Sequence, residues 1–202
     1  MEERIIDRKL GIKTVGIREW KNSQVHFNRY EATPYRALKT LKQNYKFNKD
    51  DQVVDFGAGR GRVAFYLNNH FHIPVTGIEV NDKTFDEALD NQKRYMLRAK
   101  DTSAPIRFEY GYAEHYEIDK KDNCFFFFNP FSVVTFKKVV KNILDSVKEN
   151  ERPIDLILYY PVNEYKRFLR RKTPFTIVNK IRVPGAKDPK EKFIIYRLGD
   201  KS

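Results

Sequence analysis

The chain has one cysteine, Cys124, among its 202 residues. A single thiol excludes an internal disulfide and any cysteine-based metal cluster. No apolar run approaches the ~20 residues needed to cross a bilayer. The opening residues, MEERIIDRKL, are too charged for a secretory signal. A cytoplasmic protein without membrane attachment is the plain inference. Neither a G-x-x-x-x-G-K-[ST] phosphate loop nor a G-x-S-x-G nucleophile elbow occurs. His70 and His72 lack an acid at metal-ligand spacing, so no metal is expected. Repeats and low-complexity linkers are also missing.

What is present argues for one folded domain. Apolar residues make up 41% and aromatics 14%, which outweighs the disorder signal of 33% charged residues. The net charge of +12 is uneven. Residues 161–202 hold 12 Lys/Arg against 4 Asp/Glu, and residues 1–30 hold 7 against 4. Residues 31–160 are nearly neutral. Such asymmetry fits an acidic partner, and a solvated lysine-rich surface explains it equally well.

Hydrophobic periodicity sets out the elements. Strands are expected at 52–56, 75–80, 106–110, 124–128 and 154–160. Two further strands, 175–183 and 192–198, read as a closing hairpin across a Pro/Gly loop. A helix over 35–45 would bury Leu38, Leu41 and Tyr45, with Thr33 as cap and Pro34 at its first position. The helix after the second strand would bury Phe85, Ala88, Leu89, Gln92 and Met96. Behind Ser132, Phe136, Val139, Val140, Ile143, Leu144 and Val147 form the clearest amphipathic stripe. Residues 163–172 read as a basic helix. Alternation of this kind predicts an α/β, doubly wound and mostly parallel sheet ending in an antiparallel hairpin. Ligands of such sheets bind beyond the carboxyl ends of the strands, where Asp55, Glu79, Gly111 and Asn129 fall.

The segment VVDFGAGRGR places Gly57, Gly59 and Gly61 at alternate positions directly after a strand. Glycine lets backbone approach a ligand without an intervening Cβ. A dinucleotide turn, G-x-G-x-x-G, would need glycine at position 62, where this chain has Arg62. Glu79 does not discriminate, because an acid there serves a ribose diol in either case.

VVDFGAGRGR followed by GIEV resembles motifs I and II of class I S-adenosylmethionine (SAM) dependent methyltransferases. RYEATPY, FFFFNPF and LILYYP extend the likeness to small bacterial members across residues 30–198. The resemblance implies a Rossmann-like, seven-stranded fold over 30–202 with residues 1–29 as an extension. It also implies SAM as cofactor and methyl transfer as activity. By the same resemblance Asp55 meets the SAM amino group, and Gly57, Gly59 and Gly61 underlie the methionyl part. Glu79 then accepts the ribose hydroxyls, Val80 lies on the adenine, and Tyr112 and Ala113 meet its edge. Thr33 or Tyr35 either closes over the cofactor or belongs to an ordinary helix cap.

In amino-group methyltransferases [DN]-P-P-[YF] ends the fourth strand and holds the target nitrogen. Here it is Asn129-Pro130-Phe131, with one proline missing. The resemblance implies that Asn129 and a backbone carbonyl accept hydrogen bonds from the acceptor while Phe131 stacks on it. The alternative is a strand-terminating proline and a turn-satisfying Asn. Tyr159 and Tyr160 either line the acceptor pocket or form a buried pair. The expected function is methyl transfer to a nitrogen of RNA or of an RNA-associated protein, reached through the basic C-terminal third. A small-molecule methyltransferase and a non-catalytic SAM- or nucleic-acid-binding module are the alternatives.

Overall fold

The computed structural model describes residues 2–16, 31–99 and 104–201. Seven strands, β1 (Val53–Phe56), β2 (Val75–Glu79), β3 (Ile106–Tyr110), β4 (Cys124–Phe127), β5 (Ile154–Tyr159), β6 (Thr176–Arg182) and β7 (Lys192–Leu198), form one sheet. Their order is β3-β2-β1-β4-β5-β7-β6. The first five run parallel, and β7 inserts antiparallel between β5 and β6. The expected doubly wound sheet with its closing hairpin is therefore present. β1, β2, β4 and β5 are buried at every position, as strands covered on both faces must be.

The helices are α1 (Glu2–Leu10), α2 (Tyr35–Asn44), α3 (Arg62–Phe71), α4 (Asp82–Met96), α5 (Val133–Glu149) and α6 (Asn163–Lys172). Alternate residues of each strand feed opposite layers. Val53, Phe126 and Ile157 join Leu38, Leu41, Phe65 and Tyr95 on one face. Val54, Phe56, Phe125 and Phe127 join Phe136, Ile143 and Tyr165 on the other. The rings of Phe136 and Tyr165 stack at 3.7 Å and 7°, tying α5 to α6. Such a pair contributes about 0.5–1.5 kcal/mol beyond its buried area.

Two helix details differ from the sequence reading. Pro34 is the N-cap of α2 rather than its first residue, and no side chain of its own caps the helix. Glu3 of α1 does that from a distance, its Oε1 accepting the Tyr35 N–H at 3.0 Å. In α4 the buried stripe is Thr84, Ala88, Asn91 and Tyr95, while Met96 is 56% exposed. The cause is Asn91. Its amide accepts the Lys13 N–H at 2.8 Å and donates to the carbonyls of Lys13 and Arg60 at 3.2 and 2.9 Å.

Residues 2–16 pack into the same core through Leu10 and Ile12. Buried Asp7 accepts hydrogen bonds from the Thr14 and Tyr35 hydroxyls, each at 2.7 Å. Arg62 lies 4.5 Å over the Tyr35 ring and donates to Thr14 Oγ1 at 2.6 Å, to the Thr33 carbonyl and to Glu3. Thr33 and Tyr35 are thus core residues, although the cap of α2 is Pro34 and not Thr33. At the amino end of the sheet, Asp155 receives a bidentate Arg197 at 2.7 and 2.8 Å, and Lys201 reaches Asp51 at 2.7 Å.

Candidate active site

The glycine turn leaves β1 at the carboxyl edge. Gly57, Gly59 and Gly61 have φ of 76°, 56° and 85°, the left-handed region that side chains disfavour. A Cβ on Gly57 would stand 2.4 Å from Pro130 Cβ, and one on Gly61 would stand 2.5 Å from Phe108 Cζ. The N–H groups of Gly57 and Ala58 both donate to the Ile78 carbonyl, at 2.9 and 3.0 Å. Gly61 then caps α3.

Two buried carboxylates flank this turn. Glu79, 8% exposed, accepts the Gly59 N–H at 2.8 Å on Oε2. Its Oε1 accepts the N–H groups of Val80 and Asn81 at 2.9 and 2.8 Å. Burial pushes its pKa up, and these three bonds oppose the rise. Asp55 is 3% exposed, and no hydrogen bond reaches its carboxylate among the described residues. Burial, and then the charge of Glu79, push Asp55 up to about 8. A carboxylate held without donors in such a place calls for a cation or a proton.

Beyond β3, Tyr112 is half exposed and meets His115 edge-on, while Ala113 is buried. Val80 is partly buried. The Gly111 N–H donates to the Glu79 carbonyl at 3.0 Å, so this loop and the end of β2 form one rim.

The segment after β4 carries the other half of the site. Asn129 and Tyr160 end neighbouring strands, and both have positive φ, 43° and 50°. Asn129 Nδ2 donates to the Tyr160 carbonyl at 2.6 Å, and its Oδ1 accepts the Val162 N–H at 3.2 Å. The amide thereby clamps the β4 and β5 ends together. The Pro130 carbonyl accepts none of the hydrogen bonds of the described backbone. Phe131 corrects the sequence reading. Its ring is 5% exposed, lies edge-on to Phe127, and belongs to the core under α5 and α6. Ser132 caps α5 directly afterwards, which turns the residue before it inward. Stacking on an acceptor is therefore not open to Phe131.

The tyrosine pair divides in the same way. Tyr159 is 2% exposed and donates to Glu191 at 2.8 Å, whereas Tyr160 is half-buried at the edge and donates to Asp188. Sequence reasoning gave no means of separating them. The signal is the left-handed turn at Tyr160, which swings one ring out of the sheet.

Cys124 and His70 offer no competing chemistry. Cys124 is fully buried at the amino end of β4, and burial pushes its thiol up to about 12. His70 Nδ1 lies 2.9 Å from the Tyr66 carbonyl, and its ring stacks on Tyr66. A depression lined by Gln52, Pro74 and Arg107 lies at the amino edge, away from the glycine turn.

No protein-family model matches the chain. A protein-lysine N-methyltransferase from Saccharolobus islandicus is 33% identical over 63 residues, which cover 31% of this chain and 39% of that protein. The match thus spans about two fifths of the curated relative. Among solved structures, a candidate RNA methyltransferase from Pyrococcus horikoshii superposes with a TM-score of 0.57 at 18% identity, over 98% of this chain and 97% of that one. An RNA methyltransferase from Salinibacter ruber, in complex with S-adenosyl-L-homocysteine, gives 0.53 at 14% identity, over 83% and 92%. With its strand order, its inserted antiparallel strand and these neighbours, the chain has the Rossmann-like fold of class I SAM-dependent methyltransferases.

Proposed function

We propose that the chain transfers a methyl group from SAM to a nitrogen of RNA or of an RNA-associated protein. The observation that carries this reading is Asp55, a buried carboxylate without a donor among the described residues, beside a three-glycine turn. A cationic amino group fits that carboxylate, and a close-lying chain fits over glycines that lack a Cβ. Glu79 fits a ribose with a restriction. Three of its roughly four lone-pair positions are taken by backbone N–H groups. One ribose hydroxyl is accepted as the site stands, and a second needs the Gly59 N–H to be shared. Val80, Tyr112 and Ala113 form the rim on which an adenine would rest.

SAM supplies an electrophilic methyl on a sulfonium that is already a good leaving group. The chain's own task is alignment, which alone accounts for large accelerations when reacting atoms are held at attack distance. The Pro130 carbonyl and Asn129 Oδ1 accept N–H bonds from the acceptor and hold its nitrogen toward the methyl. Gly57 brings the turn and Pro130 into contact, so cofactor and acceptor halves share one wall. The names of the fold neighbours and the basic C-terminal third support an RNA acceptor, and the lysine-modifying relative supports a protein amine.

Methyl-labelled SAM incubated with the purified chain and a fractionated cell extract tests the proposal. Label in RNA or protein is expected. Label in small molecules alone, or in no fraction, overturns it.

A further inference from the structure

We propose that Lys166, Lys190 and Lys192 form a phosphate subsite beside Tyr160 that holds the backbone of an RNA acceptor, an inference resting on the methyl-transfer reading above. All three are tied to the acceptor edge by the main chain. The Lys192 carbonyl accepts the Tyr160 N–H at 2.9 Å. The Lys190 N–H donates at 2.8 Å to Asp188, the residue that receives the Tyr160 hydroxyl. The Lys166 N–H donates to the Val162 carbonyl, and the Val162 N–H donates to Asn129. Two separate elements, α6 and the β6–β7 loop, thus bring their cations to the place where the acceptor nitrogen must lie.

Acids stand near these ammonium groups, Asp188 near Lys190 and Lys192 and Glu164 near Lys166. None of the three forms an ion pair with another described residue. The acids of the same loop are engaged elsewhere. Glu191 takes Arg36 and the Tyr159 hydroxyl, and Asp188 takes Tyr160. Lys166 is partly buried, and its pKa is lowered first by that burial and then by Lys192 and Lys190. Glu31 adds its charge near Tyr160, but Arg167, Arg170 and Arg171 extend the positive surface along the exposed side of α6. Crowded like charges that form no close ion pair are relieved by phosphate oxygens, which lysines bind as point charges. The same field repels the lysine side chain of a protein acceptor. Tyr160, the half-buried ring between the subsite and Asn129, suits a base unstacked from a single strand.

The full chain is titrated with a labelled single-stranded RNA of mixed sequence between about 50 and 200 mM salt. Each phosphate contact adds about −0.7 to the log–log slope for single strands. Replacing all three lysines with Gln should flatten that slope by about 2 and leave S-adenosyl-L-homocysteine affinity unchanged. Single Lys→Gln variants should each remove about 0.7, and Lys→Arg variants should keep the slope. An unchanged slope, no RNA binding at low salt, or label transferred to protein and not to RNA overturns the subsite. Failure of the unaltered chain to bind S-adenosyl-L-homocysteine overturns the methyl-transfer reading and the subsite with it. Cofactor binding with a slope indifferent to the lysines removes the subsite alone.

Discussion

Gly57 and Pro130 are in contact across the β1 and β4 ends, and a Cβ on Gly57 would lie 2.4 Å from Pro130 Cβ. The glycine turn and the Asn129-Pro130 segment are therefore fitted to one another. Gly57→Ala meets two costs: the clash, and a φ of 76° that an alanine disfavours. Strain of the second kind is worth about 1–3 kcal/mol. Urea unfolding should show a loss larger than strain alone. In the Pro130→Gly background, where the opposing Cβ is gone, the same substitution should cost at least 0.5 kcal/mol less, the lower end of measured couplings between neighbours. Additive losses would mean that the contact is not coupled.

Asp55 makes stability depend on pH in an unusual direction. Its pKa is raised to about 8 from an ordinary 3.8. Between those values the folded chain binds the proton that the unfolded chain has lost. Stability supplied by this group is present below about pH 4 and falls as pH rises toward 8. Asp55→Asn should abolish that decline and raise the melting temperature of the ligand-free protein at pH 8 by several degrees. The same substitution should weaken SAM binding, since the uncharged amide gives no carboxylate to the amino group. A melting temperature indifferent to Asp55→Asn at pH 8 would contradict the buried-carboxylate account.

The cofactor itself is tested by thermal shift. SAM or S-adenosyl-L-homocysteine at about 100 times its dissociation constant should stabilise the fold by roughly 2.7 kcal/mol. NAD should leave it unchanged, because Arg62 is buried among Glu3, Thr14 and Thr33 where a dinucleotide turn needs its third glycine. Glu79→Ala should remove the ligand-induced shift and also lower the ligand-free melting point. Three backbone N–H groups lose a charged acceptor, each such bond being worth about 1.5–3 kcal/mol. A shift with NAD and none with SAM would reverse the assignment.

The fold was legible because its signals are local. Each buried strand is one apolar run, Ser132 caps α5 as its position suggests, and α6 runs from Asn163 to Lys172 as the basic pattern indicates. The glycines and Glu79 were legible for the same reason, since they sit at fixed distances from strand ends. What escaped depends on partners far along the chain. Asn91 is buried because Lys13 and the Arg60 carbonyl need its amide, so the face of α4 turns away from Met96. Glu3 caps a helix 32 residues later, and Arg62 completes a network with Asp7 and Tyr35. Phe131, which the resemblance set against the acceptor, is pulled under α5, and Tyr160 is parted from buried Tyr159 by a positive φ of 50°.

Asn129 is where catalysis and structure compete most directly. Its amide closes the gap between β4 and β5 through Tyr160 and Val162, while the proposed reaction asks the same Oδ1 to accept from the acceptor nitrogen. Asn129→Ala removes both roles. Asn129→Asp separates them, because it keeps the acceptor for the Val162 N–H and loses the donor to the Tyr160 carbonyl. Asn129→Ala should lower methyl transfer by at least tenfold, with S-adenosyl-L-homocysteine affinity largely intact, since Asp55, Glu79 and the glycines are untouched. Asn129→Asp should retain more turnover than Asn129→Ala if the oxygen is what the acceptor uses. Single-turnover transfer and cofactor affinity measured side by side decide the matter. Full turnover by Asn129→Ala on the true acceptor would leave the residue as a turn clamp only, and alignment of the nitrogen would fall to the Pro130 carbonyl.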